Sequence, residues 1–154
     1  MTHQTTLAAS VLVAGDAGGE VLVLERPLSL WGGVDAERGV ITSQRHPQRG
    51  AALTGRVVVM PVVIGSSSSS SVLAEMLRRG TGPAALVLGH PDSILAIGSI
   101  VAGRMYQRGC PIVVLDAAGM VTLAEARRAH VHDSLVELEG PGLSHTAAPG
   151  ATTP

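Results

Sequence analysis

The chain has 154 residues, 45% of them hydrophobic, and a net charge of −1. That suffices for one buried core but not two, and it lacks the basic surplus of a nucleic-acid or membrane-surface binder. All eleven basic residues are arginines and Cys110 is the single cysteine. These counts exclude lysine Schiff-base chemistry, a Walker-type phosphate loop, an internal disulfide, and a zinc or iron–sulfur centre held by thiols of this chain alone.

Met1–Thr6 lacks the basic segment of a signal peptide, and no apolar run approaches the roughly 18 residues needed to span a bilayer. A soluble cytoplasmic protein is expected. Leu7–Ala14 and Glu20–Leu24 are short apolar runs split by Gly15-Asp16-Ala17-Gly18-Gly19, the pattern of a β-hairpin. Residues 26–55 carry loop chemistry, and only Val40-Ile41-Thr42 reads as a strand there. A loop this long inside a compact domain is usually functional or disordered. Val57–Met60 is continuously apolar, as a strand buried on both faces is.

A helix is expected after the serines at 66–71, with Val72, Leu73, Met76 and Leu77 on one face, Arg78 and Arg79 in its last turn and Gly80 as its stop. Ala84–Leu88 is a second buried strand. Asp92 can cap a second helix with apolar positions Ile94, Leu95, Ile97, Val101 and Met105, ended by Gly109. Pro111–Leu115 is a third strand, and the β-α-β-α-β order favours a parallel sheet. Thr122-Leu123-Ala124-Glu125 reads as a capping box opening a short helix to about Ala129, with Val131–Leu138 returning as a strand. Residues 1–139 thus form one mixed α/β domain, β-rich in its N-terminal half and βαβαβ in its C-terminal half. Residues 140–154, rich in Gly, Pro, Ala and Thr, read as a disordered tail.

Two segments could carry chemistry. Gly65 and Ser66–Ser71 lie between a buried strand and an amphipathic helix, where unpaired N–H groups and a partial positive charge favour an anion or an alkoxide. A serine tract also reads as a flexible linker or a set of alternative N-caps. In Leu28-Ser29-Leu30-Trp31-Gly32-Gly33 the tryptophan is either an aromatic wall beside a ligand or the largest plug of an aromatic-poor core. His46-Pro47, His90-Pro91 and His130-Val131-His132 lack the spacing of a metal site, so no metal ligand is assigned. Cys110, just ahead of a buried strand, reads as a small core or rim residue.

Taken in order, P-L-S-L-W-G-G-V-D-A-E-R-G-V-I (27–41), H-P (46–47), G-R-V-V-V-M-P (55–61) and G-S-S-S-S-S-S (65–71) resemble the aconitase X small subunit, or swivel domain. G-P-A-A-L-V-L (82–88) and D-S-I-L-A-I-G-S-I-V-A (92–102) continue the resemblance, which covers about residues 7–138. It implies a swivelling β/β/α domain that closes over an active site built mainly by a large catalytic subunit, and an iron–sulfur cluster held by that partner. It also implies dehydration of a small hydroxy acid. Bacterial forms are similar to cis-3-hydroxy-L-proline dehydratases and archaeal forms to mevalonate 5-phosphate dehydratases.

The family's catalytic serine, the proton-abstracting base, falls on Ser66. Around it Gly65, Ser67, Trp31, Gly32, Gly33 and His46 are expected to contact substrate. Where the family often has P-x-G-[R/K]-G-S, this chain reads Pro61-Val62-Val63-Ile64-Gly65-Ser66. The lost cation weakens phosphate recognition and points to an unphosphorylated substrate, cis-3-hydroxy-L-proline. The alternatives are a mevalonate 5-phosphate dehydratase small subunit and a non-catalytic module that binds an anion or small molecule.

Overall fold

The computed structural model describes residues 4–141. In chain order it contains β1 (Thr5–Ala8), β2 (Ser10–Val13), β3 (Asp16–Val23), α1 (Leu30–Gly33), β4 (Val34–Asp35), β5 (Val40–Ile41) and β6 (Val57–Met60). Then follow α2 (Ser69–Arg79), β7 (Ala85–Leu88), α3 (Ser93–Tyr106), β8 (Ile112–Val114), α4 (Ala117–Ala124), β9 (Ala126–His132) and β10 (Leu135–Pro141). The expected tail lies outside the described residues from 142 onward, while Gly140 and Pro141 belong to β10.

The apolar runs of β6 and β7 are buried at every position because both faces are covered. Strands β3, β6, β7 and β8 pair in parallel, with β2 antiparallel on the outer side of β8. One face, through Val58, Met60, Leu86 and Leu88, packs on Leu73, Met76 and Leu77 of α2, Leu95 of α3 and the 24–53 segment. The opposite face, through Val57, Val59, Ala85 and Val87, packs on Ala129, Val131, Val136 and Leu138 of the β9–β10 ribbon, with Leu123 of α4. The result is the expected β/β/α layering of a mixed α/β domain.

The expected N-terminal hairpin does not form. Strand β3 pairs its first half with β9 and its second half with β6, while β1 goes to β10 and β2 to β8. Gly18 and Gly19, taken for part of a turn, lie inside β3, where the chain passes from one layer to the other. A Cβ on Gly19 would collide with the carbonyl oxygen of Gly55, and one on Gly18 would sit 2.7 Å from Nδ1 of His130. Close backbone approach, not turn chemistry, explains those glycines.

Helix α2 follows the reading, with Leu73, Met76 and Leu77 buried and Gly80 capping it in the left-handed region. Helix α3 starts as read, with the Asp92 carboxylate accepting from the Leu95 amide (2.8 Å). Its inner face differs. Leu95, Gly98, Ser99 and Ala102 are buried, whereas Ile97, Val101 and Met105 are exposed. A Cβ on Gly98 would lie 2.6 Å from the Ser70 carbonyl oxygen, so α2 approaches too closely for large side chains. Ser99 exchanges two hydrogen bonds with the Cys110 backbone (2.6 and 2.8 Å). The helix ends at Gln107, which takes φ +57°, rather than at Gly109.

The capping box also fails. Asp116 accepts from the Gly119 amide (2.7 Å) and starts α4 well before Thr122, whose hydroxyl donates to Ala118 O inside the helix (3.1 Å). Residues 126–141 are then free to form the β9–β10 ribbon around Asp133-Ser134.

Candidate active site

Strand β6 ends beneath the sheet's carboxyl edge and delivers Pro61–Ser68 to the N-terminus of α2, the place where α/β sheets present ligand-binding backbone. Gly65 has φ +133°, a conformation that favours glycine. Ser66, exposed, accepts through Oγ from the Ser68 amide (3.0 Å), and its carbonyl accepts from the Ser69 amide (3.0 Å). Among the described residues none accepts from the amides of Ser66 and Ser67. A hydroxyl that accepts an N–H bond is shifted toward its ionised form, though modestly.

The Trp-Gly-Gly loop reaches the same place. Interior dihedrals of α1, φ −70° and ψ 112° at Trp31 then φ +79° and ψ −7° at Gly32, are those of a type II turn, which requires glycine in the second position. Leu28 and Leu30 are buried on either side of Ser29 and fasten the turn to the core, each contributing about 1.5–3 kcal/mol. Trp31 is therefore displayed, not buried: it is 60% exposed, and the plug reading fails. Its amide donates to Ser69 Oγ (3.3 Å), and Ser29 Oγ donates to its carbonyl (3.0 Å).

The structure brings Gly65, Ser66, Ser67, Trp31 and Gly32 to one end of the domain, with Gly33 buried behind them against Leu28. It does not bring His46 there as a free ligand. His46 is 6% exposed, with Nε2 on the Arg26 carbonyl (3.0 Å) and Nδ1 accepting from the Gln48 amide (3.1 Å), so both nitrogens brace the loop. Ser29, Ser69 and Asp92 were not among the residues expected to contact substrate. Asp92 joins Val63, Ile64, Gly65, Ser66, Ser69, Ile94 and Leu95 around a shallow recess that contains no cationic side chain. Val63, Ile94 and the half-exposed Ile64 make its lining largely apolar.

The described residues do not fit an iron–sulfur cluster. Cys110 is buried two residues ahead of β8, its backbone is tied to Ser99, and burial pushes its thiol up to about 11. Among the described residues no three His, Cys, Asp or Glu side chains are placed to share a metal. No described helix is long and apolar enough to cross a membrane.

Known proteins share this sequence pattern and fold. The sequence profile of the aconitase X swivel domain matches residues 6–138. A cis-3-hydroxy-L-proline dehydratase of Pseudomonas aeruginosa is 43% identical over 75% of this chain, which spans 20% of that protein's length. A phosphomevalonate dehydratase small subunit of Pyrococcus furiosus is 35% identical over 78% of this chain and 89% of its own. The crystal structure of Thermococcus kodakaraensis aconitase X (holo-form) superposes with a TM-score of 0.75 at 28% identity, covering 88% of this chain and 99% of that one. With the match over residues 6–138 and the shared fold in agreement, the chain belongs to the aconitase X swivel domain family.

Proposed function

We propose that the chain is the small subunit of an aconitase X-type dehydratase, active with a larger catalytic partner, and that it acts on an unphosphorylated hydroxy acid, cis-3-hydroxy-L-proline. The observation that carries the substrate choice is the recess beside Ser66. It has a largely apolar lining, one carboxylate and no cation, a poor setting for a phosphate dianion. The 43% identity to the Pseudomonas aeruginosa dehydratase supports the same choice. One observation favours the phosphorylated alternative. The Pyrococcus furiosus relative matches this chain over 89% of its length, as a separate small subunit.

In this reading ionised Ser66 takes the proton α to the substrate carboxylate, the freed electron pair forms the C=C bond as the β-hydroxyl leaves, and water is the net product, while the free amides of Ser66 and Ser67 receive a carboxylate oxygen and Trp31 walls the site. Serine is a weak base, and each pKa unit of correction corresponds to about 1.4 kcal/mol. The α2 N-terminus supplies roughly 0.3–1 kcal/mol, up to ~2 when partly buried. That covers about one unit, so partner cations and the exclusion of water on closure supply the rest. The iron–sulfur cluster that the family implies belongs to the partner in this reading, since the donor set here does not accommodate it.

The test is to co-produce the chain with its large partner under anaerobic conditions and follow loss of cis-3-hydroxy-L-proline and of mevalonate 5-phosphate. Turnover of the first alone is expected. Preference for the second overturns the substrate assignment, and a fully assembled complex inert to both leaves the anion-binding module.

A further inference from the structure

We propose that Ser69 is the positioning residue that joins the Trp31 turn to the Ser66 turn, holding the aromatic wall and the hydroxyl as one unit. The functional sense of this tie rests on the dehydratase reading of the site; the tie itself rests on geometry. Of the serine run, Ser69 alone is buried, at 3% exposure. Serines at a helix start ordinarily use their hydroxyls on nearby amides. Ser66 does so with Ser68, and Ser70 Oγ stays local by donating to the Ser67 carbonyl (2.8 Å). Ser69 instead accepts from the amide of Trp31, 38 positions away in the chain (3.3 Å).

The packing leaves no slack around that bond. A Cβ on Gly65 would lie 2.9 Å from Ser69 Oγ and 2.9 Å from Ser29 Oγ, so three segments meet where not even a methyl fits. Ser29 in turn holds the Trp31 carbonyl. Both backbone polar groups of Trp31 are thereby fixed while the indole stands 60% exposed. A loop fastened only by Leu28 and Leu30 could rotate about its ends; the Ser69 bond removes that freedom at the exposed Trp31.

Trp31 is the sole tryptophan, so the full chain alone reports the effect. In Ser69→Ala, hydrogen exchange at the Trp31 amide is expected to quicken about five- to tenfold, the scale of one ordinary hydrogen bond. Time-resolved anisotropy of the indole should gain a fast component, while protection across residues 72–79 stays unchanged. Ser70→Ala should move neither signal. If Ser69→Ala does not fold, the similarly sized Ser69→Cys, a much weaker acceptor, carries the same test. Wild-type Trp31 exchange and anisotropy in a folded Ser69 variant overturn the proposal. In the assembled enzyme Ser69→Ala should raise KM about fivefold with a smaller change in kcat. A loosened Trp31 with unchanged kinetics overturns the positioning role yet leaves the dehydratase reading intact, because that reading is judged on Ser66→Ala.

Discussion

Replacing Ser66 by alanine separates two jobs of one hydroxyl. In the free chain the hydroxyl accepts from the Ser68 amide (3.0 Å), a capping contact at an exposed helix start. Such contacts contribute about 0.5–2 kcal/mol, and exposure places this one near the lower end. The Ser66 carbonyl still receives the Ser69 amide in the variant, so the first turn persists. For a domain of this size 1 kcal/mol moves Tm by about 2–4 °C, so a loss of about 0.5–1 kcal/mol lowers it by about 1–4 °C. In the assembled enzyme the same change removes the proposed base, whose contribution is about 10²–10⁴-fold. Thermal unfolding by circular dichroism reads the first job, and kcat of the purified complex reads the second. Near-normal kcat in a complex with wild-type stoichiometry refutes the assignment and moves the base to the partner. A Tm loss above ~10 °C refutes the structural half instead, because one exposed cap cannot account for it.

Three further outcomes follow from the geometry. Gly65→Ala forces a side chain onto φ +133° and against Ser29 and Ser69, so urea unfolding should show a loss of about 1–3 kcal/mol together with altered Trp31 emission. Gln107→Gly relieves a non-glycine residue at φ +57° and should stabilise the chain by about 0.5–1 kcal/mol, measured as a higher urea midpoint with unchanged slope. Asp16 accepts hydrogen bonds from His130 and His132 across β3 and β9, which lowers its pKa below 3.8, and its hydrogen bond and charge raise His132 above 6.5. The raised imidazole contributes fully below 6.5 and its share is lost as pH rises through the higher folded value; the lowered carboxyl contributes above 3.8 and its share is lost as pH falls through the lower one. Tm should therefore fall slightly between about pH 5 and about pH 8, and His132→Asn should flatten that slope, with an unchanged slope counting against the pair.

Elements whose residues face one environment were legible in the sequence. Strands β6 and β7 are apolar throughout because both faces are covered, and α2 carries its core residues at helical spacing. Elements whose residues answer to a distant neighbour were not. The glycines of β3 look like a turn until the Gly55 carbonyl is seen against them, and the outward Ile97, Val101 and Met105 look like core until α2 is seen against Gly98. At the site, the order Trp-Gly-Gly, then Gly-Ser, could be read, and with it Ser66 as the candidate base. That Trp31 is displayed follows from buried Leu28 and Leu30 at alternate positions, a signal the sequence does contain. Ser69 carries no local mark among identical neighbours; only the Trp31 amide, brought in by tertiary packing, distinguishes it. His46 shows the converse, a residue conspicuous in sequence whose two nitrogens are spent on its own loop.

The burial of Cys110 has a practical side. A thiol pushed up to about 11 and packed against Ser99 stays protonated at neutral pH, whereas it is the thiolate that attacks maleimides and mild oxidants. The natural chain is therefore a blank for thiol-directed labelling. A cysteine introduced at Met105, 65% exposed on the outward edge of α3, becomes the one reactive handle, and a dye there can test the proposed closure over the partner without any background-removing mutation in the core.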